Sequence, residues 1–239
     1  MVPAPSPTLL LFDIDGTLLS MASREHARAL IESVQAIHGV DVRRLELSIS
    51  AAGRTDGEIA RALLLAAGIG EAEIEAGAAA VQAECCRRYA DGACPADLRA
   101  KVIAGIPALL ESLQDRAELR LGLVTGNYEE IARTKLAAAG LLDFFKPWVG
   151  GFGSDSEDRL DLPPLARVRA GSLEVADCPW PREQTIVIGD TPRDIACARA
   201  DQLRVIAVTT GPYAASDLSG ADALAQDSAE LASHLQQLL

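Results

Sequence analysis

Four short apolar segments constrain the fold of this chain more than any other feature. They lie at 9–12, 119–124, 185–188 and 204–208. Two of them are continuous runs, as expected for central strands of a parallel sheet that is covered on both faces. Helix-length segments separate them, at 107–114, 129–139 and 195–200. The alternation of strand and helix signals predicts an α/β protein with a doubly wound parallel sheet.

Residues 20–95 interrupt this alternation with a pattern that is helical throughout. Helices are predicted at 24–38, 55–67 and 71–89. Thr55 and Glu58 have the spacing of a capping box, in which each side chain binds the other residue's amide. A length of 239 residues allows either one domain with an insertion or two domains in series. We predict an insertion, with the α/β core formed by 1–19 and 96–239 and a helical domain by 20–95.

Composition argues against several classes of partner. With 22 basic and 34 acidic residues the net charge is −12, which disfavours a nucleic-acid-binding face. No apolar stretch approaches the roughly 20 residues needed to span a membrane. The apolar run at 8–12 lacks the basic flank of an export signal and is interrupted by Asp13. Five cysteines without a CxxC pair favour free thiols and a cytoplasmic location.

Polar residues follow three of the four predicted strands at their carboxyl ends. Asp13 and Asp15 follow the first strand, Thr125 ends the second, and Asp190 and Asp194 follow the third. Ligands of open parallel sheets bind outside the carboxyl ends of the strands. We therefore expect these side chains to meet at one edge.

The chemistry available at such an edge is specific. Asp13 and Asp190 would be like charges in proximity, which a divalent cation would relieve. Hard oxygen ligands together with a substrate phosphate are the pattern of Mg²⁺. Asp13 and Asp15 are two residues apart and point the same way in an extended chain. One carboxylate can attack phosphorus while the other transfers the proton, and Thr125 with the amides after it can hold phosphoryl oxygens.

These motifs resemble those of the haloacid dehalogenase superfamily. The resemblance rests on the motif DIDGT at 13–17, Thr125 after an apolar strand, and Gly189-Asp190 followed by Asp194. It covers nearly the whole chain, and the helical insertion is similar to the small α-helical cap of that superfamily. The chain looks most similar to the phosphoglycolate phosphatase and β-phosphoglucomutase-like branch.

The resemblance implies roles for individual residues. Asp13 would be the nucleophile that forms an aspartyl-phosphate, and Asp15 the general acid/base. Mg²⁺ would be held by Asp13, the backbone carbonyl of Asp15, and Asp190. Asp194 would orient the water shell of the metal or the cation that binds phosphate. The phosphoryl group would be bound by the residues at the end of the second strand: Thr125, Gly126 and Asn127.

One position departs from the superfamily pattern, which usually supplies a lysine to neutralise the phosphoryl group. The chain contains only Lys101, Lys135 and Lys146. Lys135 lies about ten residues beyond Thr125 on the next helix, which corresponds to roughly 15 Å. Lys146 precedes the third strand and so belongs to the wrong end of the sheet. Our hypothesis is that Arg159 replaces the lysine, since a guanidinium group can bind phosphate through two hydrogen bonds.

The insertion would determine the substrate. Residues 53–56 occupy the position of a specificity loop in similar caps, and Arg54 is a candidate for binding a carboxylate or hydroxyls of the leaving group. Arg193 is expected to pair with an acid or face solvent, and the acidic stretch 154–158 to form a solvated loop. The histidines are interpreted as structural or surface groups: His26, His38 and His234.

The sequence thus predicts a Mg²⁺-dependent phosphatase that hydrolyses a small phosphorylated metabolite through an aspartyl-phosphate. A phosphomutase on the same scaffold and, less favoured, a non-catalytic phosphate-binding module remain as alternatives. Phosphoglycolate, a sugar phosphate and a nucleotide monophosphate would all fit such a core. Neither nucleic acid nor a membrane is an expected partner, and the sequence does not decide between a monomer and a homodimer.

Overall fold

The fold is organised around one parallel sheet. The computed structural model describes residues 7–20, 24–44, 51–173 and 178–238. The strands are β1 (Thr8–Phe12), β2 (Leu119–Thr125), β3 (Gly150–Phe152), β4 (Thr185–Gly189), β5 (Arg204–Val208) and β6 (Ala223–Ala225). Their order in the sheet is β3-β2-β1-β4-β5-β6, and every neighbouring pair is parallel.

Helices lie between the strands and in the insertion. Those that follow β1 are α1 (Arg24–His38), α2 (Asp56–Ala66), α3 (Glu71–Gly92), α4 (Pro95–Ala100) and α5 (Ile106–Gln114). The later ones are α6 (Glu129–Ala139), α7 (Leu162–Gly171), α8 (Pro192–Ala200) and α9 (Ser228–Leu238). A 3₁₀ turn at Arg159–Asp161 leads directly into α7. None of the described helices combines the length and the apolar character needed to cross a membrane.

The side chains of each strand point alternately to the two faces of the sheet, and helices bury both faces. On one face Leu9 and Leu11 of β1 pack with residues of α7 and α8. On the other face Leu10 and Phe12 pack with residues of α5, α6 and α9. Successive side chains of a strand point to opposite faces, so one short apolar run serves two layers of helices. The predicted doubly wound α/β fold is confirmed.

The helices α1, α2 and α3 form a cap with an apolar cluster of its own. Leu30, Leu63 and Tyr89 belong to this cluster, and so do Tyr128 and Ile131 at the start of α6. The predicted α-helical insertion is therefore present, and it packs on the helix that follows β2. The boundaries at 19/20 and 95/96 stay a prediction.

A hydrogen-bonded contact fixes the loop before α2 to the core. The amide of Asp56 donates to the carbonyl of Gly126 over 2.8 Å, and the Asp56 Oδ2 accepts from the amide of Tyr128 over 2.7 Å. Tyr128 is the residue before the first turn of α6, where free amides attract negative charge. The Asp56 carboxylate, which belongs to the helical cap domain, therefore satisfies a free amide at the N-terminus of the core helix α6.

The acidic stretch 154–158 forms part of the same contact. Asp155 and Asp158 are exposed, as the prediction of a solvated loop requires, but the prediction is wrong for Glu157. Glu157 is half-buried, accepts a hydrogen bond from Thr55 Oγ1 over 2.7 Å through its backbone carbonyl, and pairs with Arg61 through its carboxylate. Both partners come from the cap, about a hundred residues away in sequence. A local charge pattern cannot reveal a partner at that separation.

The predicted capping box at the start of α2 forms only in part. Thr55 Oγ1 accepts from the amide of Glu58 over 3.1 Å, as predicted. The Glu58 carboxylate instead pairs with Arg54 and, over 3.4 Å, with Arg193. Arg193 thus pairs with an acid, as the sequence suggested. Two nearby guanidinium groups attract the carboxylate more strongly than one amide does.

Five elements were absent from the sequence prediction: β3, β6, α4, α7 and α9. The strands β3 and β6 have three residues each and lie at the two edges of the sheet. Such short strands give little periodicity to detect. In α7 the pair Pro163-Pro164 resembles a loop, although proline is well tolerated in a first helical turn.

Candidate active site

The carboxyl ends of three adjacent strands form the floor of a cavity of about 700 Å³ beneath the cap. Asp13 follows β1, Thr125 ends β2, and Asp190 follows β4. Because β1 lies between β2 and β4, these three residues converge. Arg54 contributes to the opposite wall, so the cavity lies between cap and core.

The turn after Asp13 requires a glycine. Gly16 has a φ of 92°, in the left-handed region that residues with a Cβ rarely adopt. A Cβ at this position would also collide with the carboxylate of Asp190. The Gly16 amide donates to the Leu19 carbonyl over 2.6 Å, and its carbonyl accepts from Thr210 Oγ1 over 2.5 Å. The turn thereby places Asp13 and Asp15 at the cavity.

Three buried carboxylates gather at this edge. Oxygen atoms of Asp13, Asp190 and Asp194 lie within 4.8 Å of one another. Burial raises the pKa of Asp13, Arg159 opposes this effect, and Asp194 and Asp15 raise the pKa further. Burial raises the pKa of Asp190 as well, and Asp13 and Asp194 add to the increase. Both shifts express the cost of holding like charges out of water.

The arrangement of donors divides these carboxylates into two kinds. Asp194 is well satisfied, since Oδ2 accepts from the Thr191 amide over 2.9 Å and from Thr191 Oγ1 over 2.7 Å. Its Oδ1 accepts from Arg159 over 2.5 Å. Asp190 has a weak contact with Thr17 Oγ1 at 3.3 Å, and Asp13 lies 3.2 Å from Arg159. Asp13 and Asp190 therefore retain free oxygen capacity, and their donor set fits a hard divalent cation such as Mg²⁺.

Arg159 lies beside Asp13, as our hypothesis of a cation for the phosphoryl group requires, although a lysine, Lys135, is also present at the site. The side chain is buried in the cavity wall between Asp13 and Asp194. Burial alone would lower its pKa, but the two carboxylates outweigh that effect and hold the pKa well above its usual value. A permanent positive charge thus faces the proposed nucleophile. Asp194, which also forms the capping box of α8, holds this guanidinium in place.

Lys135 is a residue of the site that sequence reasoning missed, and the expectation that it lies far from the site is wrong. It is completely buried, and its Nζ donates to Asp15 Oδ2 over 2.5 Å and to Asn127 Oδ1 over 2.7 Å. The helix α6 begins at Glu129, so Lys135 is only about 9 Å along it. Helical side chains lean toward the N-terminus of their helix, which returns this ammonium group to the sheet edge.

Asp15 occupies a different electrostatic environment from Asp13. Burial raises its pKa, but the charges of Lys135 and His26 and hydrogen bonds from Lys135 and Asn127 lower the pKa below its usual value overall. Asn127 Nδ2 donates to Asp15 Oδ2 over 2.9 Å. The other oxygen, Oδ1, is buried and has no hydrogen-bond partner within the described part of the chain. One oxygen is thus fixed by two donors, whereas the other has none.

The remaining predicted residues have simpler environments. Thr125 and Asn127 are buried and hydrogen-bonded to each other, with 2.7 Å between Asn127 Nδ2 and Thr125 Oγ1. His26 is buried, lines the cavity and contacts Asp56 Oδ2 over 3.1 Å. His38 and His234 form structural contacts, with Glu73 and with the carbonyl of Leu224.

The sequence was compared with protein-family models and with known proteins, and both comparisons point to the same family. A family model described as haloacid dehalogenase-like hydrolase matches residues 7–200, and a related HAD-like model matches residues 166–238. A phosphoglycolate phosphatase of Rhodospirillum rubrum is 29% identical over 223 residues, which are 92% of this chain and 86% of that protein.

Two solved structures share the fold. A β-phosphoglucomutase of Clostridium difficile superposes with a TM-score of 0.67 at 16% identity, covering 97% of this chain and 96% of its own. A mutant of CbbY from Rhodobacter sphaeroides, in complex with xylulose-(1,5)bisphosphate, superposes with a TM-score of 0.66 at 22% identity, covering 94% and 96%.

The parallel sheet, the acidic residues at its carboxyl edge and the helical cap above them define an α/β protein with a site between cap and core. The family model covers most of the chain. The chain belongs to the haloacid dehalogenase-like hydrolase family, and it is an enzyme.

The acidic cluster predicts an unusual stability effect for Asp190→Asn. Since the folded state raises the pKa of Asp190, it retains a proton at pH values where the unfolded chain, with a pKa of about 4, has lost it. The stability that this proton provides is lost as pH rises through the raised pKa. In EDTA at pH 9 the variant should therefore unfold at a temperature several degrees above wild type, a gain of about 1–3 kcal/mol. At pH 5 the difference should shrink.

Thermal unfolding with and without MgCl₂ completes this measurement. Wild type should gain stability from MgCl₂ at pH 8, because a ligand that binds the folded state stabilises it. Asp190→Asn should gain much less. Asp143→Asn, whose carboxylate is exposed and pairs with Lys146, is the matched control and should behave as wild type. Equal Mg²⁺ responses in wild type and Asp190→Asn would contradict the assignment of the metal ligand.

Proposed function

We propose that this phosphatase of the haloacid dehalogenase-like family hydrolyses the phosphate monoester of a small metabolite through an aspartyl-phosphate on Asp13. One observation carries the proposal. Asp13 and Asp15 line the same cavity, and each is paired with its own buried cation, Arg159 for Asp13 and Lys135 for Asp15. Two carboxylates in different environments are suited to two different tasks, nucleophilic attack and proton transfer.

In the first step the Asp13 carboxylate attacks phosphorus and the ester oxygen leaves. Arg159 balances negative charge on the phosphoryl group, and the Thr125 hydroxyl with the amides of Gly126 and Asn127 binds its oxygens. Asp15 gives its proton to the leaving oxygen. A bound phosphate dianion adds negative charge beside Asp15 and raises its pKa, which supplies the protonated form for this step.

In the second step water attacks the aspartyl-phosphate. Asp15 is now ionised and accepts the proton of the attacking water, and free phosphate and Asp13 are released. The depressed pKa of Asp15 favours this ionised form. Lys135 and Asn127 both bind Oδ2, so Oδ1 is the oxygen left to exchange the proton.

Mg²⁺ is the cofactor that the acidic cluster fits. Asp13, the backbone carbonyl of Asp15, and Asp190 would hold it, with Asp194 acting through Arg159 and the surrounding water. When bound, it supplies positive charge that neutralises the converging carboxylates and the phosphate oxygens. An enzyme with a net charge of −12 depends on such local positive groups to attract an anionic ester.

The direct test is hydrolysis of p-nitrophenyl phosphate. Activity should require MgCl₂, should disappear in EDTA, and should fall by more than about a thousandfold in Asp13→Asn, since an amide cannot attack phosphorus. Circular dichroism establishes that the variant is folded. Hydrolysis that survives Asp13→Asn would exclude the covalent mechanism.

The same preparation separates a phosphatase from the phosphomutase alternative. A phosphatase releases one free phosphate and one alcohol for every ester that it cleaves. A phosphomutase returns the phosphoryl group to a sugar phosphate and releases little free phosphate. Parallel assays of phosphate and alcohol therefore distinguish the two activities.

Arg159→Ala should lower turnover of p-nitrophenyl phosphate at least about tenfold, because it removes the cation that faces Asp13. Arg159→Lys should recover part of this loss, since lysine also supplies a positive charge. Arg87→Ala is the matched control, because Arg87 is an exposed residue of α3 that pairs with Glu84 and Asp91. Kinetics of Arg159→Ala close to those of wild type would refute the role of this residue.

Lys135→Met should affect substrates according to their leaving groups. Loss of the ammonium releases Asp15 Oδ2 and impairs proton transfer to the leaving oxygen. The kcat for ethyl phosphate should fall about a hundredfold, with a smaller loss for p-nitrophenyl phosphate, which needs little acid assistance. Lys146→Met, at the opposite end of the sheet, is the control. Equal losses for both substrates would argue against a role in positioning Asp15.

A further inference from the structure

The wall that the cap helices α1 and α2 contribute to the cavity is mainly apolar, apart from His26 and Asp56, which contact each other. Six residues of two cap helices contribute to it: Ala27, Leu30 and Ile31 of α1, and Ile59, Ala62 and Leu63 of α2. Each set has the spacing i, i+3, i+4, which places its members on one face of a helix. The two helices therefore contribute apolar side chains to the same cavity that Asp15 lines, where the leaving group of a bound ester would lie.

The cations around the cavity are already paired with carboxylates. Arg54 binds Glu58, which also pairs with Arg193. Arg159 binds Asp13 and Asp194. Among the described lining residues, no arginine lacks a carboxylate partner. A carboxylate on the leaving group would have to compete with Glu58 for Arg54.

We propose that the alcohol released by this enzyme is uncharged and mainly hydrocarbon, an inference that rests on the proposed phosphatase function. Transfer of a charged group from water to an apolar wall without a free partner is unfavourable, whereas hydrocarbon gains free energy there. The volume of the cavity is within the range of small-molecule sites. The phosphoryl group binds at the sheet edge, and the carbon chain packs against the cavity side of α1 and α2.

A homologous series of n-alkyl phosphates, from ethyl to hexyl, tests this substrate class. With MgCl₂, kcat/KM should increase about fourfold for each added methylene that the wall buries. Phosphoglycolate and glycerol phosphate should be poorer substrates than butyl phosphate. A kcat/KM that is constant or decreasing along the series, or highest for phosphoglycolate, would overturn the proposal.

Binding of n-alkylphosphonates, measured by calorimetry, separates this proposal from the phosphatase function itself. Their P–C bond is not an ester, so affinity reports the cavity wall without turnover. Affinity that increases with chain length in a protein that hydrolyses none of the esters would support the ligand class and refute the phosphatase. Affinity that is independent of chain length would refute the ligand class, whatever the turnover.

A matched pair of variants on α2 locates the effect. Ile59→Ser should lower the ratio of kcat/KM for hexyl phosphate to that for ethyl phosphate by about tenfold, because it places a hydroxyl in the apolar wall. Leu65 lies on the same helix, is 44% exposed and is not part of the cavity lining. Leu65→Ser should leave both values unchanged. An unchanged ratio in Ile59→Ser would show that the cap wall does not select the substrate.

Discussion

The structure depends on how buried carboxylates at one edge of the sheet are neutralised by nearby cations. Asp13, Asp190 and Asp194 are held close together, and Asp15 is only two residues from Asp13. Such a cluster is tolerated only where opposite charge is fixed nearby. Within the described residues, Arg159 is the buried cation that directly contacts the three-carboxylate cluster, and it leaves capacity for a metal.

Lys135 neutralises the fourth carboxylate, Asp15, and is separate from Arg159, which contacts Asp13. The two aspartates therefore have pKa values shifted in opposite directions. Asp13 and Asp190 have raised pKa values, so a proton or a metal ion is favoured there. Asp15 has a lowered pKa, because Lys135 and Asn127 both donate to Oδ2. A single shared cation would couple Asp13 and Asp15, the proposed nucleophile and the proposed general acid/base. Two cations on different helical segments allow each carboxylate to be adjusted independently.

The sequence predicted the features that follow from sheet topology and missed those that depend on side-chain direction or tertiary partners. The convergence of Asp13, Thr125 and Asp190 follows from the rule that parallel strands end at a common edge. Lys135 was misplaced because distance along a helix axis ignores how far a long side chain extends back. Glu157 was assigned to solvent because its partners lie in the cap. The strands β3 and β6 are too short for a periodic signal.

The helix α6 belongs to both halves of the molecule. Tyr128 and Ile131 at its start are members of the apolar cluster of the cap, and one turn further along Lys135 holds Asp15. The cap of this enzyme is therefore not an exchangeable module. Any replacement that repacked Tyr128 or Ile131 would displace the helix that carries Lys135, so a change in the cap would also change the surroundings of Asp15.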